Sequence, residues 1–303
     1  MFELRNRRHL FKSSLVLFLL VNIFTVGFSI QFYQNGQMDL KLAAASSSSS
    51  DVKPKIVWDT FEYTFSAKLT NELYSKIVLD MNNSIFQTMV KNAYIQINDL
   101  RIGKQTLPFG SYTSRTISRP FTRTFEEVVR LGVSYKINYQ DVFITYLSAF
   151  NNSIDDATSG LAGKFVVIPR PEIVFAVSGL FDQELNGSGK RLNKLDVHGM
   201  AELNFTDAIV DMEFYRCLAG VNETAMAFNG SLTVMITKVL DMVFRFEGAN
   251  SKGSEIVGKK SMFSGGVNFK VNSNVTYSLE GAYIKLSTDK ELITISSRMA
   301  LNF

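Results

Sequence analysis

One histidine and one cysteine remain beyond the N-terminal leader described below, His198 and Cys217. Neither has a partner at a useful spacing. A zinc centre needs three or four ligands, and a hydrolytic triad needs a nucleophile, a base and an orienting acid. His198 falls on the polar side of the run 197–205, opposite Val197, Gly199, Ala201, Leu203 and Phe205, and reads as a wall residue. The carboxylates Glu202, Asp211, Glu213, Asp241, Glu247 and Glu280 invite a comparison with acid–base catalysts, which place two such groups around one bond. Here they alternate along the chain with Arg130, Lys136, Arg245, Lys270 and Arg298. That interleaving suits a hydrated wall crossed by an electric field, with all eleven residues facing a lumen. No phosphate-binding loop or dinucleotide fingerprint occurs. The expectation is therefore no catalytic residue, no cofactor and no metal.

A second constellation lies between residues 103 and 125. Gly103, Lys104, Gln105, Thr106, Leu107, Pro108, Phe109 and Gly110 stand where a strand leaves the sheet. Pro108 lacks an N–H and ends pairing, while Gly103 and Gly110 let the chain bend. Arg115, Arg119 and Arg123 follow at a spacing of four. A cationic rim of this kind attracts an anionic solute; the same guanidinium groups equally suit lipid phosphates.

The elements that position these residues are strands. Ile293, Ile295, Met299, Leu301 and Phe303 alternate with Thr294, Ser296, Arg298 and Asn302, giving one oily and one polar face. The same period of two runs through Val129, Leu131, Val133, Tyr135 and Ile137, and through Leu240, Met242, Phe244 and Phe246. Fifteen strand-like runs start from Ile56, joined by connections that mostly alternate short with long. Short turns are expected at 69–72, 98–99, 138–140, 169–171, 206–207, 237–238 and 272–274, and in membrane barrels such turns gather at one end. If the last strand ends at the short-turn end, parity sends the strand at Ile56 away from the long-loop end, and it needs a partner before it. Residues 30–42 are the candidate, with the Ser-rich stretch as their loop. That gives an all-β, antiparallel up-and-down transmembrane barrel of sixteen strands, or of fourteen if residues 30–42 form a plug or tail and one of the fifteen runs is not a strand.

Ahead of this lies a basic segment with Arg5, Arg7, Arg8 and Lys12, then an apolar run from Leu15 to Gly27 and small residues at 27 and 29. It has the layout of a secretory signal peptide, and falls short of the roughly 20 apolar residues of a spanning helix. The expected organisation is a leader over 1–29, a possible first strand with Ser-rich loop over 30–55, and a barrel over 56–303. Removing the leader takes away most of the net charge of +4, so a nucleic-acid partner is not expected.

Two resemblances sharpen this reading. The terminal Phe303 resembles the C-terminal signal read by the bacterial barrel-assembly machinery, which implies that machinery and outer-membrane lipids as partners. The stretch 103–110, preceded by Asn92, Ala93, Tyr94 and Ile95 and followed by Ile117, Ser118, Arg119 and Pro120, resembles the LbtU-type siderophore porin family. The resemblance runs over about 56–303 and implies an outer-membrane porin that passes a small solute, a siderophore or another anionic ligand. Lys104, Gln105, Pro108, Phe109, Gly110, Arg115, Arg119 and Arg123 are then the expected pore-mouth residues. The competing reading is a structural or adhesive surface protein with a plugged lumen.

Overall fold

The computed structural model describes residues 31–47, 50–82, 87–110, 115–116, 120–122, 127–151, 158–221, 223, 225–250, 259–286 and 291–302. The leader at 1–29 and Phe303 lie outside them, as do Arg119 and Arg123. The strands are β1 (Gln31–Ser47), β2 (Ser50–Lys68), β3 (Leu73–Asn82), β4 (Gln87–Ile97), β5 (Leu100–Thr106), β6 (Val129–Tyr139), β7 (Phe143–Asn151) and β8 (Thr158–Arg170). They continue as β9 (Ile173–Leu185), β10 (Arg191–Asn204), β11 (Ala208–Ala219), β12 (Met226–Met235), β13 (Leu240–Asn250), β14 (Lys259–Lys270), β15 (Val275–Leu286) and β16 (Glu291–Asn302). Each pairs antiparallel with its neighbours in sequence, and β1 pairs with β16, so sixteen strands close one barrel. Closure leaves no sheet edge, the condition for a strand structure surrounded by lipid.

The Ser-rich stretch is a correction to the sequence reading. It extends both strands of the first hairpin: Ala43 pairs with Ser296 and Lys55, and Ser47 pairs with Ser50. Low complexity gives a segment no side-chain reason to pack, but neighbouring strands on both sides supply backbone partners that small residues accept freely.

The seven short turns fall where the composition puts them, within two residues. Asn98, Gln140 and Asp141 have φ of 50°, 55° and 56°, the left-handed geometry that tight hairpins demand and that Asn and Asp tolerate best. Hydroxyl and amide side chains tie other turns: Thr237 Oγ1 accepts from the N–H groups of Val239 and Leu240 at 3.2 and 3.1 Å, and Asn272 Oδ1 accepts from those of Asn274 and Val275 at 2.8 Å each.

Alternation sorts the side chains. Leu131, Val133, Ile137, Val177, Phe244, Phe246, Ile293 and Ile295 are exposed on the outside. Tyr139, Phe143 and Phe205 sit on that surface beside the short turns, and Phe181, Phe246 and Tyr283 lie toward the other end. An apolar belt flanked by aromatics is the surface of a barrel whose solvent is hydrocarbon. Inside, the large buried side chains are not those of an ordinary core. They gather around the segment that leaves β5.

Candidate pore and its constriction segment

The segment between β5 and β6 enters the barrel instead of covering its mouth. The entry is local chemistry. Phe109 N–H donates to Leu107 O at 2.8 Å across Pro108, a three-residue turn that the fixed φ of proline favours. Gly110 follows with φ of 78°, where a side chain would be strained. Its N–H donates to Ser178 Oγ on β9 at 2.9 Å, and its carbonyl accepts from Lys164 Nζ on β8 at 2.7 Å. Phe109, fully buried, meets His198 of β10 and Tyr215 of β11 edge to face, with ring centroids 6.4 Å apart in both pairs. His198 is thus a wall residue with a packing role.

Further along, the segment is held mainly by carboxylates. Arg115 reaches Asp211 at 3.3 Å and Glu202 at 4.0 Å, and its carbonyl accepts from Asn268 Nδ2 at 3.0 Å. The Arg245 guanidinium donates to Thr116 Oγ1. Phe121 N–H donates to Glu247 at 3.0 Å and Thr122 Oγ1 to Glu213 at 2.7 Å. Glu247 and Arg245 are themselves ion-paired at 2.5 Å, with Glu280 3.8 Å from the same guanidinium. Such charge-assisted bonds in a dry setting are stronger than neutral ones. The segment is therefore pinned against β8–β14.

Most residues expected to face the lumen have an inward partner. Arg130 pairs with Asp182 at 3.7 Å and Lys270 with Asp241 at 3.1 Å, while Arg298 is half-buried on β16. Among the expected pore-mouth residues, Gln105 is buried and donates to Gly132 O at 3.3 Å. Two expectations are corrected. Lys104 is exposed and in register with Ala93 and Leu131, on the outward face, because residues 101, 103 and 105 take the inward parity. Arg115 is no free rim charge, since Asp211 and Glu202 neutralise it and draw it to the wall.

Opposite the pinned segment remains a cavity of about 510 Å³. Its lining runs from Leu107 and Pro108 of the segment down to Asp99 at a short turn. Lys76, Lys91, Arg101, Lys136 and Lys164 line it against Glu62, Asp99 and Glu127. Lys136 was legible in the sequence; Lys76 and Arg101 were reachable from strand parity alone. Lys91 was not, because the register slips at this point, with Val78 opposite Asn92 and Leu79 opposite Val90. The bulge lets Lys91 and Asn92 both face inward while Val90 stays outside. Lys91 then bridges Glu62 at 2.5 Å and Glu127 at 2.8 Å. Cations thus dominate the β3–β8 side and carboxylates the β9–β15 side.

No protein-family model and no curated protein matches the sequence. Solved structures do match in shape. The outer membrane channel DcaP of Acinetobacter baumannii superposes with a TM-score of 0.72 at 11% identity, covering 90% of this chain and 97% of that one. An anion-selective porin from Comamonas acidovorans gives 0.71 at 10%, covering 91% and 100%, and OprB of Pseudomonas putida 0.68 at 9%, covering 90% and 94%. At these identities the likeness is one of architecture: the chain has the closed sixteen-strand antiparallel fold of outer-membrane porins.

Proposed function

We propose that the protein is an outer-membrane channel through which small polar solutes diffuse, with a preference for anions. The observation that carries this reading is the lateral docking of the inward segment, which narrows the lumen on the β8–β14 side and leaves a polar cavity with five cations against three carboxylates. A solute passing there exchanges hydration water for fixed charges of mostly one sign, which raises the local concentration of anions. The porin architecture of DcaP and of the Comamonas anion-selective porin supports the channel reading and the outer-membrane location. A siderophore, the cargo implied by the family resemblance, is the specific anionic candidate. Uptake of ferric siderophores by a deletion strain and its complemented parent tests that finer assignment.

Single-channel recording in planar bilayers tests the channel itself. Stable conductance steps with an anion-favouring reversal potential in a KCl gradient are expected. Folded protein that gives no steps supports the competing reading of a plugged surface protein, to which the full burial of Leu107, Phe109 and Phe121 inside the barrel lends its one specific argument.

A further inference from the structure

At the short-turn end of the cavity stand three cations that make no ion pair with any described residue. Lys76 on β3, Arg101 on β5 and Lys136 on β6 all line the cavity. Their neighbours in the lumen are matched: Lys91 is held by two carboxylates and Arg130 by Asp182. Among the described residues neither lysine nor Arg101 makes an ion pair, and Asp99 is the carboxylate that lines this end of the cavity.

Arg101 is also held in place. Its Nε donates to Gln96 Oε1 at 2.8 Å, and Gln96 Nε2 donates to Asn98 O at 2.8 Å, which fixes which way the amide points. The guanidinium carbon lies 5.2 Å from the centre of the Tyr94 ring, within cation–π range. With Nε engaged and one face against an aromatic, the two terminal nitrogens remain as a planar pair of donors. That pair matches an oxyanion bidentately, which an ammonium cannot do. The register places Lys136 diagonally below Arg101, since Arg101 pairs with Ser134 and Lys136 N–H donates to Asp99 O at 3.0 Å. Diagonal neighbours of this kind stand roughly 7–8 Å apart at the backbone, close enough for a lysine side chain to reach the same ligand.

We propose that Arg101, with Lys76 and Lys136, forms a saturable binding site for a compact, doubly charged oxyanion, for which inorganic phosphate is the probe. The role of the site as a step on a permeation path rests on the channel reading; the binding itself does not. Three cations against Asp99 leave an excess that a dianion neutralises and a monoanion does not. A spherical ion gains nothing from the guanidinium fork.

The test uses the full-length folded protein in two measurements. Titration with phosphate followed by ³¹P line broadening in detergent should saturate, whereas acetate followed by its methyl resonance should not. In bilayers, phosphate should reduce the chloride current to a plateau. Arg101→Lys keeps the charge but loses the fork, and phosphate binding should weaken by at least about tenfold, the effect of losing a hydrogen bond to a charged group. Lys136→Gln, which leaves Arg101 and its supports untouched, should weaken it as well. A non-saturating phosphate response, acetate binding as tight as phosphate, or native-like binding by folded Arg101→Lys and Lys136→Gln overturns the site. Saturable phosphate binding without any conductance overturns the channel reading and leaves the site standing.

Discussion

Replacing Ile295 by arginine puts the two faces of the barrel to a quantitative test. Ile295 is 59% exposed on the outer surface and in register with Gly281 and Ala44. It stands seven residues from Asn302, the end of β16. With a rise of about 3.4 Å per residue and a tilt of about 40°, that is about 18 Å along the barrel axis, inside an apolar band about 25 Å tall. An arginine costs roughly 2–4 kcal/mol at the midplane of that band and roughly 0–1 at its edges; the midplane figure, an upper bound for Ile295, is about 30- to 700-fold in the folding equilibrium. The neighbour Ser296 points inward, opposite Glu280, where an arginine finds water and a carboxylate. Ile295→Arg should therefore lower the urea midpoint of refolding into lipid vesicles, and the yield of the compact gel band in unheated samples, far more than Ser296→Arg. Equal midpoints and yields for the two variants would refute the assignment of faces and with it the lumen.

Glu213→Gln should loosen the inward segment at Thr122, and because a hydrogen bond to a charged group is worth about 1.5–3 kcal/mol, open-channel noise and mean conductance should both rise; traces identical to the parent would count against the docking. Lys76→Gln together with Lys136→Gln should lower the anion-to-cation permeability ratio, more at 0.01 M salt than at 1 M, since the Debye length falls from about 30 to 3 Å; a ratio unchanged at low salt would remove these lysines from the path. N-terminal sequencing of the protein from membranes should begin near Ile30, and an intact Met1 would contradict the leader.

Much of this architecture was legible in the chain because barrel strands carry their own address. A period of two separates an oily from a polar face, Asn, Asp and Thr mark the turns, and parity required a partner for β2. The partner was right and its end was wrong: the Ala/Ser stretch continues the strands, since what orders it is pairing with β2 and β16, which local composition does not encode.

The sequence alone determined the closed antiparallel sheet, the inward identity of most of the charged residues, and the bend at Pro108–Gly110, because alternation and turn chemistry act between residues a few positions apart. The tertiary structure decided which charges remain available. Arg115 was drawn to Asp211 and Glu202, 96 and 87 positions away, and a one-residue bulge turned Lys91 inward against the parity of its strand. Lys104, inside the most distinctive local motif, faces outward by register with β4 and β6. Pairing of distant charges depends on how the inward segment crosses the barrel, and that crossing is set by packing against β8–β14, for which no periodicity in one strand carries a signal.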